Sequence, residues 1–220
     1  MNNALIQLLV LAGIAVFLII KLRSVLGTRE GFEKPPLPVD ETPSRPVLRS
    51  VDATDPTDDR DITDHAPEGS PAASALARMK QVEPSFAVGT FLQGARGAYE
   101  MILMAFERGD ISGVRAFLTP EVAESFDEAI AARKDQGLTI EANFVGLREL
   151  SLVTADFVES TQEAEVTVRF VGELTSVVRN ASGQIVEGSA TEIKRQRDVW
   201  TFGRKMGSSD PNWQLVATGE

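Results

Sequence analysis

Few residues in this chain are of a type that could perform acid–base or nucleophilic chemistry. There is no cysteine, so disulfides, thiolate metal sites and cysteine nucleophiles are excluded. The single histidine, His65, lies in a polar stretch, which argues against a Ser-His-Asp triad or a histidine zinc site. Tyr99 and Asp156 are then the candidates for an acid and a base, but nothing in their spacing singles them out. We therefore expect no enzyme, no cofactor and no metal.

Charge also limits the classes of partner. The formal net charge is −10, which argues against binding to nucleic acid. Five basic residues form the one basic cluster in an otherwise acidic domain, namely Lys194, Arg195, Arg197, Arg204 and Lys205. They would either face anionic lipid headgroups or pair with the surplus of Asp and Glu.

Residues 4–20 form an uncharged apolar run whose only strongly polar side chain is Gln7. As a helix this run spans roughly 26 Å, at about 1.5 Å per residue. Leu22 and a snorkelling Lys21 extend it toward the thickness of a hydrocarbon core, about 30 Å. The sequence thus predicts a transmembrane helix at about residues 4–22, within an anchor of residues 1–27.

A cleaved signal peptide and a buried core helix are the alternatives to this anchor. A signal peptide would have a positive stretch before the apolar run and a small-x-small cleavage site after it, and neither is visible. All nearby basic residues follow the run, namely Lys21, Arg23, Arg29 and Lys34. The positive-inside rule therefore predicts a single-pass protein with residues 21–220 in the cytoplasm.

Residues 28–71 have the composition of a tether. Eight prolines, from Pro35 to Pro71, interrupt any helix. Between residues 40 and 68 there are nine Asp and Glu against three Arg. Low hydrophobicity with excess charge predicts a disordered, acidic spacer, with an acidic recruitment motif as the alternative.

Helical periodicity marks the first half of the remaining domain, residues 72–220. In residues 72–82 the apolar side chains share one side, so this segment either lies on the membrane surface or packs on the domain. A longer amphipathic helix ends at Gly109, and its apolar positions are Phe91, Ala95, Ala98, Tyr99, Ile102 and Phe106. Thr119 and Pro120 begin another helix.

After Gly137 the period changes from 3.6 to 2. Five strands are predicted, at residues 138–144, 150–157, 164–170, 193–202 and 213–218, with a hairpin turn at residues 180–183. Helices followed by an antiparallel meander indicate an α+β fold with helices on one face of a curved sheet.

Alternation directs apolar side chains from several strands to the face that the helices must cover. Incomplete cover would leave an apolar cavity, whose lining we expect to include Tyr99, Ile102, Phe144, Val168, Phe170, Trp200 and Phe202. A fully packed core is the alternative.

The C-terminal motifs resemble the Tim44-like domain family. The likeness is carried by Asp198-Val-Trp-Thr-Phe202, then Arg204, then Asp210-Pro-Asn-Trp-Gln-Leu215, with Leu118-Thr-Pro-Glu-Val122 upstream. It covers about residues 72–219. The residues after the anchor, including Glu33-Lys-Pro-Pro36, look like those of bacterial members.

This resemblance implies a cystatin-like α+β cone, attachment to the inner membrane, an apolar cavity and contact with anionic lipid. We therefore expect an adaptor or scaffold anchored in the bacterial inner membrane, whose cytoplasmic domain binds partner proteins and membrane lipid. Protein translocation or the assembly of membrane complexes would be its setting. The alternative is a module that binds lipid or another hydrophobic ligand in the cavity.

Overall fold

A computed structural model describes residues 60–219, in which helices precede strands. The helices are α1 (Arg60–Thr63), α2 (Pro71–Val82), α3 (Val88–Arg108) and α4 (Pro120–Asp135), with a 3₁₀ helix (Ser112–Phe117) before α4. The strands are β1 (Thr139–Val158), β2 (Glu163–Arg179), β3 (Ile185–Lys205) and β4 (Gln214–Gly219). The predicted anchor and most of the predicted tether lie outside the described residues. Within residues 60–219, no helix is both long and apolar enough to cross a bilayer.

Local sequence explains where the helices begin and end. The backbone N–H of Ala73 donates to the Ser70 hydroxyl oxygen at 3.1 Å, which caps α2. Gly109 ends α3 with a φ of 74°, in the left-handed region that favours glycine. Leu76 and Met79 of α2 are fully buried, so this helix packs on the domain and does not lie on a membrane surface.

The N-terminus of α3 is capped from a distant segment. The N–H groups of Val88 and Gly89 donate to the Asp61 carboxylate of α1 at 2.7 Å and 3.0 Å. Nearby, Ile62 and Ala66 are buried in the core. The prediction that residues 60–71 belong to a disordered tether is therefore wrong. This segment is part of the folded domain because Asp61 and two apolar side chains attach it to α3 and the core.

The four strands form one antiparallel sheet in the order β1-β2-β3-β4. The predicted hairpin at residues 180–183 connects β2 to β3. Four strands replace the five predicted, because residues 138–144 and 150–157 belong to a single strand, β1. Its pairing with β2 skips Val145, Arg148 and Val153, which are bulges. A bulge bends a strand without ending it, so the loss of alternation there does not mark a turn.

The core lies between the helices and one face of this sheet, here called the inner face. Ala164, Val166, Val168 and Phe170 of β2 point inward and are buried, as their alternation predicts. Helices α2 and α3 pack against β1 on the same side. The α+β architecture, with helices on one face of a curved antiparallel sheet, is thus confirmed.

Candidate binding groove along helix α3

Most of the residues predicted to line a cavity are packed against one another. The Tyr99 ring stacks on Phe170, with centroids 4.4 Å apart, and Trp200 lies 4.8 Å from Tyr99. Six of the predicted residues belong to this packed cluster or its margin: Tyr99, Ile102, Phe144, Val168, Phe170 and Trp200. These six do not line the groove described below, because the aromatic rings fill the space between α3 and the sheet. Phe202 does line it.

A buried polar network explains how a tyrosine is accommodated in this core. The Tyr99 hydroxyl donates to Asp198 Oδ2 at 2.6 Å, and Gln196 Nε2 donates to Asp198 Oδ1 at 3.1 Å. A Cβ at Gly172 would lie 2.8 Å from the hydroxyl oxygen, so the glycine makes room for it. Burial, and then the neighbouring Asp198 carboxylate, raise the pKa of Tyr99 far above its usual value. The hydroxyl therefore stays protonated.

The two residues suspected of acid–base chemistry are not brought together. Tyr99 has no exposed surface and faces the inner side of the sheet. Asp156 is exposed on β1, where it lies opposite Glu165 of β2. In the part of the chain that the structure describes, no group of three or more His, Cys, Asp or Glu side chains is arranged to hold a metal ion.

A groove of about 480 Å³ lies between α3, the α2–α3 connection and the β3–β4 loop, and is here called the α3 groove. Aromatic rings form its wall. Phe91 and Phe86 pack against Trp213, with centroids 4.7 Å and 5.9 Å away. Phe117 and Met101 extend the apolar lining, and Met101 is 39 % exposed. This volume falls within the range of about 300–1,000 Å³ that is typical of ligand pockets.

Two glycines keep the helix side of the α3 groove open. A Cβ built on Gly94 or on Gly97 meets no other atom within 4 Å. Glycine in a helix interior costs about 1 kcal/mol relative to alanine, so both positions weaken α3. Packing within the described residues does not require either glycine. With Ala98, they leave the helix surface accessible to a bound molecule.

An ion pair forms the polar end of the α3 groove. Arg204 of β3 donates to the Glu83 carboxylate, and its Nη1 donates to the Pro211 carbonyl oxygen at 3.1 Å. The guanidinium also lies 5.7 Å from the centre of the Trp213 ring. Burial favours a higher pKa for Glu83, but hydrogen bonds from Arg204 and the Gly207 N–H hold that pKa below its usual value. The pair is ionised, and its charges cancel.

The five basic residues predicted to contact anionic lipid do not form one cluster. Strand alternation places Lys194 and Arg204 on the inner face and Arg195, Arg197 and Lys205 on the outer face. Lys194 and Arg204 are also ten residues apart, which is about 33 Å along a strand. The sequence leaves two alternatives for these residues, contact with lipid headgroups and pairing with Asp or Glu. Arg204 and Arg195 follow the second, since they pair with Glu83 and Glu173.

Arg195 belongs to an ionic group on the outer face. It donates to Glu173 of β2 at 3.2 Å, and Arg148 of β1 donates to the same carboxylate at 2.9 Å. The hydrogen bond from Arg148 is the main reason that the pKa of Glu173 lies below its usual value. The ion pairs therefore do not follow proximity in sequence. Arg195 shares Glu173 with Arg148, which is distant along the chain, whereas Arg204 pairs with Glu83 at the α3 groove.

Sequence reasoning missed most of the residues of the α3 groove. Phe86 and Pro211 come from connections, whose positions periodicity does not define. The one signal that could have indicated the groove is the pair Gly94 and Gly97 inside a predicted amphipathic helix, where glycine is unfavourable.

Comparison with known proteins agrees with the motifs. The profile of the Tim44-like domain family matches residues 72–220. The mitochondrial import inner membrane translocase subunit TIM44 of Homo sapiens is 23 % identical over 147 residues, which is 66 % of this chain and 32 % of that protein. The chain thus spans about a third of the length of this relative. A crystal structure of the intermembrane space region of chloroplast protein ARC6 aligns with a TM-score of 0.41 and 11 % identity, over 58 % of this chain and 93 % of that one. Because the family profile covers most of its length, the chain belongs to the Tim44-like domain family.

Proposed function

We propose that this chain is a membrane-anchored adaptor whose folded domain holds an apolar segment of a partner protein in the α3 groove. The observation that carries the proposal is the groove itself, where aromatic rings form the wall and Gly94 and Gly97 leave room on α3. Covering apolar surface is favourable by about 25 cal/mol per Å². An apolar partner segment would supply that cover.

The polar groups of the groove suit an uncharged segment. The charges of Arg204 and Glu83 cancel, so the groove attracts neither sign strongly. Arg204 Nε is buried, so it is not available to a molecule bound in the groove. An uncharged peptide segment with apolar side chains matches such a lining. We propose binding, and not catalysis, as the role of this domain.

The human relative supports a setting at a membrane. The human relative is named as a subunit of an inner membrane translocase of mitochondria. We propose that residues 4–22 anchor this chain in the bacterial inner membrane, with residues 60–219 in the cytoplasm. The adaptor would then act in protein translocation or in the assembly of membrane complexes.

The second candidate is a module that binds lipid or another hydrophobic ligand. The α3 groove has the volume of a small-molecule site, and an acyl chain could lie against the same rings. This candidate differs from the adaptor only in the occupant of the groove.

Photocrosslinking from the groove distinguishes the two candidates. A photoreactive amino acid replacing Met101 in the full-length chain should give protein adducts in native membranes. The same amino acid at Ala129, exposed on α4 and outside the groove, serves as the control. Adducts with the mass of a lipid, and none with protein, would favour the second candidate.

Filling the groove tests whether it is the binding site. Gly97→Leu places a side chain in open space and also raises helix propensity, so the protein should stay folded. We expect this variant to lose the protein adduct at Met101, while Ala129→Leu keeps it. Undiminished adducts in Gly97→Leu would contradict binding in the α3 groove.

A further inference from the structure

Strand β3 has a long stretch with a neighbour on one side only. Strand β4 pairs with residues 199–203, so in the described part of the chain residues 185–198 pair with β2 alone. Three large apolar side chains on this stretch are more than half exposed, namely Ile185 at 54 %, Val186 at 54 % and Ile193 at 53 %. An unpaired edge with exposed apolar side chains is a surface on which another strand can pair.

A bulge divides this edge into two short segments. Residues 190–193 bulge out opposite Thr175 of β2. Before the bulge, Gly188 has a φ of 80°, and a Cβ there would lie 2.1 Å from a β2 carbonyl oxygen, so only glycine fits. Residues 185–188 and 194–198 continue the strand on either side. A partner strand must therefore match two short segments and cannot form one uninterrupted ladder.

The two segments carry opposite charges. Glu187 lies before the bulge, whereas Lys194, Arg195 and Arg197 follow it. Glu187 and Lys194 are on the same face of the sheet, because they pair with Val178 and Leu174, which are four residues apart on β2. When two identical strands pair in antiparallel fashion, the start of one lies opposite the end of the other. The edge of β3 is thus complementary in charge to a second, antiparallel copy of itself.

We propose that the edge of β3 joins two copies of this chain into a twofold symmetric dimer. Residues 185–187 of each copy lie beside residues 194–196 of the other, and the sheet continues across the contact. Pairing Glu187 with Lys194 of the other copy places the twofold axis between Ala190 and Thr191, where the two bulges meet. Such a contact uses the same surface on both copies, so it closes as a dimer and does not extend into a fibre.

Cross-linking of introduced thiols tests this contact. The chain has no cysteine, so each substitution supplies a unique thiol. We expect full-length Ala190→Cys, purified in detergent micelles, to form a covalent dimer with a short bis-maleimide reagent. Asn143→Cys, exposed on the outer strand β1 and away from the proposed contact, is the matched control and should not be cross-linked. No dimer from Ala190→Cys, or an equal yield from both variants, would overturn the proposal.

Charge reversal tests the pairing across the axis. Glu187→Lys should raise the dimer dissociation constant about tenfold, because symmetry places two like-charge contacts in the dimer. Adding Lys194→Glu to this variant restores opposite charges and should restore dimerisation, as measured by sedimentation of the full-length chain. Tryptophan fluorescence checks that both variants are folded. An unchanged dissociation constant in Glu187→Lys, or no recovery in a folded double variant, would contradict the proposed contact.

Discussion

Tyr99 and Gly172 have matching shapes where α3 crosses β2. The tyrosine is fully buried, and its hydroxyl occupies the space that a side chain at position 172 would need. The position of that hydroxyl is fixed by Asp198, whose buried carboxylate needs the donor. A buried carboxylate that loses a donor is costly, so tyrosine, glycine and aspartate depend on one another.

This dependence can be measured with a double-mutant cycle. Gly172→Ala should lower the free energy of unfolding by about 1–3 kcal/mol, because its methyl group meets the Tyr99 hydroxyl. In a Tyr99→Phe background the same change should cost less, since the closest contact is gone. Urea denaturation of the full-length chain, followed by the fluorescence of Trp200 and Trp213, gives both values. The control is Gly113→Ala, where a Cβ meets no other atom; additive costs in the cycle would argue against the contact.

The carboxylate of Asp61 makes stability dependent on acid pH. Burial favours a higher pKa, but hydrogen bonds from Lys80 and from the Gly89 and Val88 N–H groups outweigh it and lower the pKa below 3.8. Because the folded-state pKa is depressed, this stabilisation is present above pH 3.8 and is lost as pH falls through the lowered value.

Asp61→Ala should therefore reduce stability at neutral pH by about 0.5–2 kcal/mol, the usual cost of losing a helix cap. The free energy of unfolding of this variant should also fall less steeply below pH 4 than that of the native chain. The difference should develop roughly within one pH unit of the ordinary carboxyl pKa. Urea denaturation at pH 7 and at pH 3 measures both effects. Glu124→Gln, an exposed carboxylate on α4, is the control and should change neither value. An acid dependence identical to the native one would exclude Asp61 as its source.

At the scale of elements, the segment before α2 is a structural part of the domain. It supplies the cap of α3 through Asp61, and it buries Ile62 and Ala66. A chain beginning at residue 72 should therefore be less stable than one beginning at residue 60, by about 3 kcal/mol or more. Urea denaturation of the two fragments measures the difference. Equal stabilities would show that the segment is dispensable and that the domain begins at α2.

The sequence predicts elements well where their signals are local. Thr119 with Pro120 indicates the start of α4, and Gly109 marks the end of α3. Prediction from the sequence fails where a contact between distant residues determines the local structure. From the sequence, the residues around Asp61 look like an acidic spacer. The N–H groups that donate hydrogen bonds to Asp61 belong to another helix, so no local signal marks this contact. The bulges of β1 look like a turn, because only pairing with β2 shows that the strand continues.

The candidate site was less predictable than the fold, for a physical reason. Alternation correctly assigns Phe170 and Trp200 to the inner face, but it does not tell whether a helix fills the space above them. Here Tyr99 of α3 fills it, and the open space lies instead beside the same helix, between Gly97 and the β3–β4 loop. Basic residues adjacent in sequence likewise alternate between faces, so Arg195 and Arg204 end in unrelated ion pairs.

At the scale of the whole molecule, the distribution of positive charge determines the expected orientation. Residues 1–3 contain no Lys or Arg, whereas Lys21, Arg23, Arg29 and Lys34 follow the apolar run. Basic residues near a membrane span favour the cytoplasmic side. The acidic composition of the rest of the chain does not alter this expectation, because Asp and Glu contribute little to topology. The α3 groove and the edge of β3 would then both face the cytoplasm.

Thiol labelling in cells tests this orientation, since the chain contains no cysteine of its own. Ser182→Cys places a thiol in the exposed turn between β2 and β3, and Asn2→Cys places one before the apolar run. A maleimide that cannot cross the inner membrane should label Asn2→Cys in intact bacterial cells and leave Ser182→Cys unlabelled. In inverted inner-membrane vesicles the pattern should reverse, because the cytoplasmic face is then outside. Labelling of Ser182→Cys in intact cells would place the domain in the periplasm, and the partners of the groove would then have to be sought there.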